Sequence, residues 1–149
     1  MLIPRELTES ECLDALTGHK IGRIGFCTPD GPRVFPVNYA MDGKSLVFRT
    51  SPYGSIARES GGPLDTVYGS IAREKGDRRE AAFEIDHFDH QDKTGWSVLV
   101  VGRLEVVDDP HELLSLTENP QPWAGGSRGL YLRLHCRLMS GRAVEPPPT

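Results

Sequence analysis

The sequence predicts a small, mainly β protein with short helices, built on a six-stranded antiparallel barrel. Three observations support this fold class. Six segments are rich in β-branched and aromatic residues, turn sequences separate several of them, and no repeating βαβ pattern is present. The 149 residues are the length of one domain. We place that domain at residues 1–145 and expect the Pro-rich tail, 146–149, to be disordered.

The first third of the chain reads as a helix followed by a three-stranded meander. Thr8 and Glu11 form a capping-box pattern, which predicts a helix over residues 9–16 that ends at Gly18. A Pro-Asp-Gly turn and then an Asp-Gly turn join the strands into hairpins. The three strands are predicted at residues 20–26, 33–40 and 45–50.

The second half predicts three further strands, at residues 80–85, 96–107 and 131–138. Gly102 interrupts the longest of them and predicts a β-bulge. Asp109 followed by Pro110 is a helix start, with an aspartate cap and a proline in the first turn. A Pro- and Gly-rich loop then leads to the last strand.

A heptapeptide, Tyr-Gly-Ser-Ile-Ala-Arg-Glu, occurs twice, at residues 53–59 and 68–74. Two copies are too few for a solenoid, which needs at least three repeats. We interpret the pair as a local tandem duplication within the connection between the third and fourth strands. Only one copy can occupy the position that an unduplicated chain had.

Composition excludes several function classes. The net charge of −4 argues against a nucleic-acid partner, which needs a basic face. No apolar run is long enough to span a bilayer, and the N-terminus lacks the apolar core of a signal peptide. We therefore expect a cytoplasmic protein without a membrane partner. Its cysteines, Cys12, Cys27 and Cys136, are expected to be reduced and mostly buried.

The strand that ends in Arg49, Thr50 and Ser51 has the ingredients of a phosphate site. Arginine offers a fork of donors, the two hydroxyls offer more, and a helix start near Ser55 would add backbone N–H groups. An exposed arginine on an edge strand followed by an ordinary helix entry explains the same residues. The local sequence alone favours that simpler interpretation.

Residues 86–90, Asp-His-Phe-Asp-His, contain two histidines and two aspartates. In a strand His87 and His90 would point to opposite faces, and no more distant set of ligands is evident. We favour a solvated acidic loop over a metal site.

Four segments, at residues 34–39, 48–51, 82–86 and 94–98, together resemble the pyridoxamine 5'-phosphate oxidase-like superfamily. The resemblance is to its small bacterial branch, which includes nitroimidazole-resistance proteins. It implies a split β-barrel of the FMN-binding type and a homodimer that holds FMN at the subunit interface. Carried over by position, it places Pro36, Val37 and Asn38 along the flavin ring, Arg49, Thr50, Ser51 and Ser55 near the phosphate, and Trp96 and Ser97 close to the flavin.

Three functions are compatible with this resemblance. The first is an FMN-dependent oxidoreductase acting on an unidentified small molecule, with the redox chemistry supplied by the flavin. The second keeps the barrel but holds a deazaflavin coenzyme or haem; a deazaflavin with an acidic tail would use Arg23, Arg33 and Arg49. The third is a non-enzymatic module that binds or senses flavin.

Overall fold

The structure is a computed structural model that describes residues 1–28, 31–50, 79–107, 109–116, 119–120 and 130–149. The duplicated heptapeptide lies outside these residues. So do Ser51 and Ser55, whose predicted roles therefore stay predictions. For Thr50 the structure describes the backbone only.

The described elements are β1 (Ile3–Glu6), α1 (Glu9–Thr17), β2 (Ile21–Thr28), β3 (Gly31–Asp42), β4 (Ser45–Thr50), β5 (Arg79–Asp89), β6 (Thr94–Val107), α2 (Pro110–Leu114) and β7 (Leu130–Glu145). Strands β2 to β7 close an antiparallel barrel in the order β2–β3–β4–β7–β6–β5, with β5 paired back to β2. This confirms the predicted six-stranded antiparallel barrel. In the described parts of the chain, no helix has the length and apolar character that crossing a bilayer requires.

Apolar side chains from alternate positions along the strands fill the barrel interior. Ile24, Phe48, Phe83 and Leu132 are all fully enclosed there. The period of two in the pleated strand produces this pattern, because alternate side chains point to opposite faces. The core therefore occupies the inward positions, and chemistry on the barrel must use the outward ones.

Helix α1 covers part of the barrel and is held by the predicted capping box. The Thr8 hydroxyl accepts from the Glu11 N–H at 3.1 Å, and the Glu11 carboxylate accepts from the Thr8 N–H at 3.0 Å. Arg5 of β1 donates to the same carboxylate at 2.9 Å. These hydrogen bonds lower the pKa of Glu11 to about 2, and the one from Arg5 makes the largest contribution. The helix start is thereby joined to the strand before it.

The bulge predicted at Gly102 is confirmed and lies where β6 crosses β7. Val101 pairs with Leu138 and Gly102 pairs with Cys136, so Arg137 is the extra residue. A Cβ atom built at Gly102 would lie 1.8 Å from the carbonyl oxygen of His135. Only glycine allows the two backbones to approach this closely.

Three differences from the predicted elements exceed two residues, and each follows from pairing with a distant strand. β1 was not predicted; its four residues are paired to the end of β7. β7 runs to Glu145 rather than to residue 138, because β6 and β1 supply partners for it. β5 runs to Asp89, so residues 86–89 form a strand end rather than the predicted loop.

The cysteine prediction holds only in part. Cys12 is buried and Cys136 is partly buried. Burial raises the pKa of the Cys136 thiol to about 11. Cys27 is exposed, contrary to the expectation. It occupies an outward position of β2, the parity opposite to the enclosed Ile24 and Phe26.

Candidate functional site

The outer edge of β3 is incompletely paired. β3 pairs with β2 from Gly31 to Asn38, but with β4 only from Tyr39 to Asp42. Among the described residues, the segment 34–37 therefore has no strand partner on its β4 side. We call this segment, together with Arg49 near the end of β4, the β3 notch.

The backbone groups that face the notch can be assigned from one hydrogen bond. The Tyr39 N–H donates to the Lys20 carbonyl, on the β2 side, at 3.0 Å. In an antiparallel strand alternate residues point their backbone groups to opposite sides. Val34 and Pro36 therefore turn their backbone groups to the notch. Proline is suited to this place because its missing N–H leaves no donor unpaired at an open edge.

Arg49 stands at the β4 side of the notch and is held over an aromatic ring. Its Cα partner on β7 is Tyr131, and the guanidinium carbon lies 5.1 Å from the centre of that ring. The Tyr131 hydroxyl in turn donates to Asn119 Oδ1 at 3.2 Å. Stacking on a ring fixes the plane of a guanidinium.

The predicted site residues divide between the two faces of the barrel. Pro36, Asn38, Arg49 and Ser97 occupy outward positions, whereas Val37 and Trp96 occupy inward ones. Because Tyr39 pairs with Phe48, the next residues along the two strands bring Asn38 beside Arg49. Trp96 packs edge-on against His19, with 5.0 Å between ring centres, at the end of the barrel. The structure thus brings Pro36, Asn38 and Arg49 together and leaves Trp96 apart from them.

A buried arginine beside the notch was not found from the sequence. The Arg133 side chain is 7% exposed and donates to Asp42 Oδ2 at 2.8 Å and to Glu112 Oε1 at 3.2 Å. It also donates to the Ser45 hydroxyl. The residue shares the outward face of β7 with Tyr131. It therefore joins α2 to the β3–β4 turn.

A second polar cluster lies on the outward face of β2 and β5. One nitrogen of Arg23, Nη1, donates to Glu84 Oε1 at 3.0 Å and to Asp86 Oδ2 at 2.9 Å. The pKa of Glu84 is raised, mainly by partial burial and next by the neighbouring Asp86. We call Glu84 and Asp86 the carboxylate pair. Arg23, one of the arginines expected to bind an acidic deazaflavin tail, is thus hydrogen-bonded to two carboxylates of its own chain.

An apolar row crosses the same outward face on five adjacent strands. The strand register places five outward residues side by side: Val34, Gly25, Ala82, Val101 and Leu138. Gly25 and Ala82 form the floor of an open cavity of about 350 Å³, with Val34 and Val101 among its walls. Val34 is 65% exposed and Leu138 is 59% exposed. We call this row and its cavity the outer groove.

These features fit the chemical needs of a flavin. A flavin ring needs an apolar wall with a few placed hydrogen-bonding groups, and its phosphate needs a cation. The notch offers the Pro36 ring as wall, the backbone edge and the Asn38 amide as polar groups, and Arg49 as cation. No member of this set was located by helix or strand pattern; Arg49 alone had a local signal in the sequence.

Comparisons with known proteins agree with this fold. A family model described as pyridoxamine 5'-phosphate oxidase matches residues 8–143. A conserved protein of unknown function from Corynebacterium diphtheriae superposes with a TM-score of 0.69 at 26% identity, covering 94% of this chain and 97% of that one. The FAD-binding protein of Mycobacterium smegmatis gives a TM-score of 0.65 at 20% identity, over 95% and 98% of the two chains. An uncharacterized protein of Mycobacterium tuberculosis is 25% identical over 138 residues, which are 91% of this chain and 82% of that protein.

Proposed function

Because the chain belongs to the pyridoxamine 5'-phosphate oxidase family, we propose that it binds FMN at the β3 notch and acts as a flavin-dependent oxidoreductase on a small molecule. The observation that carries this proposal is the backbone edge at residues 34–37, which has no strand partner on its β4 side within the described parts of the chain and lies beside Arg49. The similarity to an FAD-binding protein supports a flavin as the ligand class.

Each residue of the notch has a distinct part in this proposal. Pro36 provides a flat apolar contact for the ring, and the backbone at Val34 and Pro36 provides polar groups at its edge. Asn38 adds an amide that can donate and accept. Arg49, oriented by the Tyr131 ring, binds the phosphate. Bound flavin supplies the two-electron chemistry, while the protein binds and orients it.

The same proposal includes a homodimer that associates through the outer groove. A floor of small residues beside exposed aliphatic side chains is self-complementary, since Val34 or Leu138 of one copy can enter the cavity of the other. The row follows the curvature of the barrel, so a second copy that packs on the floor at Gly25 and Ala82 covers the adjoining strands β3 and β6. The groove begins at Val34, so a partner seated there would border the notch.

The absorbance spectrum of the purified protein, with mass analysis of any small molecule released by denaturation, tests the ligand. We expect a flavin spectrum and the mass of FMN, or saturable binding when FMN is added at micromolar concentration. The mass of FAD would show that the bound ligand is a flavin, but FAD rather than FMN. A haem Soret band, a deazaflavin peak, or failure to bind added flavin would contradict the proposal.

Sedimentation equilibrium of charged variants tests the dimer. Val34→Glu and Leu138→Glu each place a carboxylate in the outer groove, where burial without a partner is costly. We expect the dimer dissociation constant to rise at least about tenfold for either variant. Leu114→Glu is the matched control, because Leu114 is 85% exposed on α2, outside the groove. Equal dissociation constants for all three variants and the parent would exclude this face as the interface.

A further inference from the structure

The carboxylate pair lies inside the proposed dimer face rather than at its rim. Arg23 pairs with Pro36 on one side and with Glu84 on the other, and Glu84 pairs with Leu99. Leu99 is 42% exposed, and the outer groove runs alongside through Ala82, two residues from Glu84. A second copy that covers Leu99 and the groove floor at Ala82 therefore covers Glu84 as well, because Glu84 adjoins both.

The charge at this cluster is not balanced. Two carboxylates share one guanidinium nitrogen, and the Glu84 and Asp86 side chains are only 35% and 20% exposed. The neighbouring outward positions on β3 and β6 are Pro36, Leu99 and Ser97, none of which carries a charge. The nearest further cation in register is Arg142 of β7, which lies beyond Ser97. The cluster itself thus carries one excess negative charge; in the adjoining cavity Arg33 is a further cation, and Glu80 is paired with Arg137.

We propose that the carboxylate pair makes association of two copies depend on proton uptake, with Glu84 as the group that gains the proton. This inference rests on the dimer proposed above. An excess carboxylate loses water when the second copy covers it, and burying an uncompensated charge costs several kcal/mol unless the group is neutralised. A proton bound at Glu84 leaves one carboxylate, Asp86, paired with Arg23, and the cluster becomes neutral.

The sign of the pH dependence follows from this exchange. Glu84 in the single chain already has a pKa above the ordinary glutamate value, through burial first and Asp86 second. Coverage by a second copy raises this pKa further, because it removes more water. The dimer then binds more protons than two separate chains at pH values between the two pKa values. Lowering the pH through that window tightens the dimer, and raising it weakens the dimer.

The experiment is sedimentation equilibrium of the purified protein between about pH 7.5 and pH 5.5, with the flavin content measured at each pH. Two protons taken up per association event, one at each Glu84, change the dissociation constant by up to about a hundredfold per pH unit. We expect it to fall as the pH is lowered, because the pKa of Glu84 is raised above its ordinary value in the single chain and further in the dimer. Glu84→Gln, a neutral side chain of the same shape, should bind about as tightly at pH 7.5 as the parent does at pH 5.5, with less than a twofold change across the range.

Asp14→Asn is the matched control, because it removes one exposed carboxylate on α1, outside the proposed face. It should keep the full pH dependence of the parent. A dimer whose dissociation constant is unchanged by pH, or unchanged by Glu84→Gln, would overturn the proton linkage and leave the interface standing. A protein that stays monomeric at every pH would overturn the interface and the linkage together.

Discussion

Gly102→Ala is expected to destabilise the fold by on the order of 3 kcal/mol, the largest stability effect that the structure predicts for a change of a single methyl group. The added Cβ would lie 1.8 Å from the His135 carbonyl oxygen and 2.8 Å from its carbonyl carbon. Both are backbone atoms in the middle of β7, so neither can rotate away. Relief requires the β6–β7 ladder to separate at the bulge, where Arg137 is already unpaired.

Urea denaturation with a fluorescence readout measures this loss, compared with Gly43→Ala. Gly43 has a φ of +62° and nothing within 4 Å of an added Cβ. Its replacement costs only the strain of a left-handed conformation, about 1 kcal/mol. Equal losses for the two variants would show that the bulge can relax and that the close approach at Gly102 is not rigid.

The sequence predicted those elements whose determinants are local. The capping box at Thr8 and Glu11, the aspartate cap before Pro110 and the bulge glycine each act within a few residues, and the structure confirms all three. The barrel itself followed from strand count and turn chemistry. These signals are short-range, so a single sequence contains them.

What the sequence did not reveal depends on contacts between distant segments. β1 has four residues without a clear apolar face and forms only because the end of β7 pairs with it. Arg133 is buried by partners 21 and 91 residues away, Glu112 and Asp42. The residues next to Arg133 in the sequence give no indication that its side chain is buried.

The candidate site shows the same division. The resemblance placed Pro36, Asn38 and Arg49 near one ligand, and the register of β3 and β4 brings them side by side. The open edge at residues 34–37, which makes the site usable, depends on where pairing with β4 stops. Asp86 of the carboxylate pair was interpreted as part of an acidic loop, whereas Glu84 was placed in the predicted strand, because the length of β5 is set by β6 rather than by its own residues.

Arg49→Ala carries the second large effect, which is on ligand affinity rather than on stability. A charge-assisted contact to a phosphate contributes about 1.5–3 kcal/mol. Its loss should weaken FMN binding about ten- to a hundredfold. Arg5→Ala is the matched control, because Arg5 is an equally charged residue held by Glu11 and Glu145 on β1. It should leave FMN affinity unchanged.

Riboflavin makes the comparison specific to the phosphate, because it has the same ring and no phosphate. The deciding measurement is a pair of fluorescence titrations, FMN and riboflavin, on the parent protein and on Arg49→Ala. We expect Arg49→Ala to lose most of its FMN affinity and to bind riboflavin as the parent does. Unchanged FMN affinity, or an equal loss for both ligands, would contradict the placement of the flavin phosphate beside Arg49 at the β3 notch.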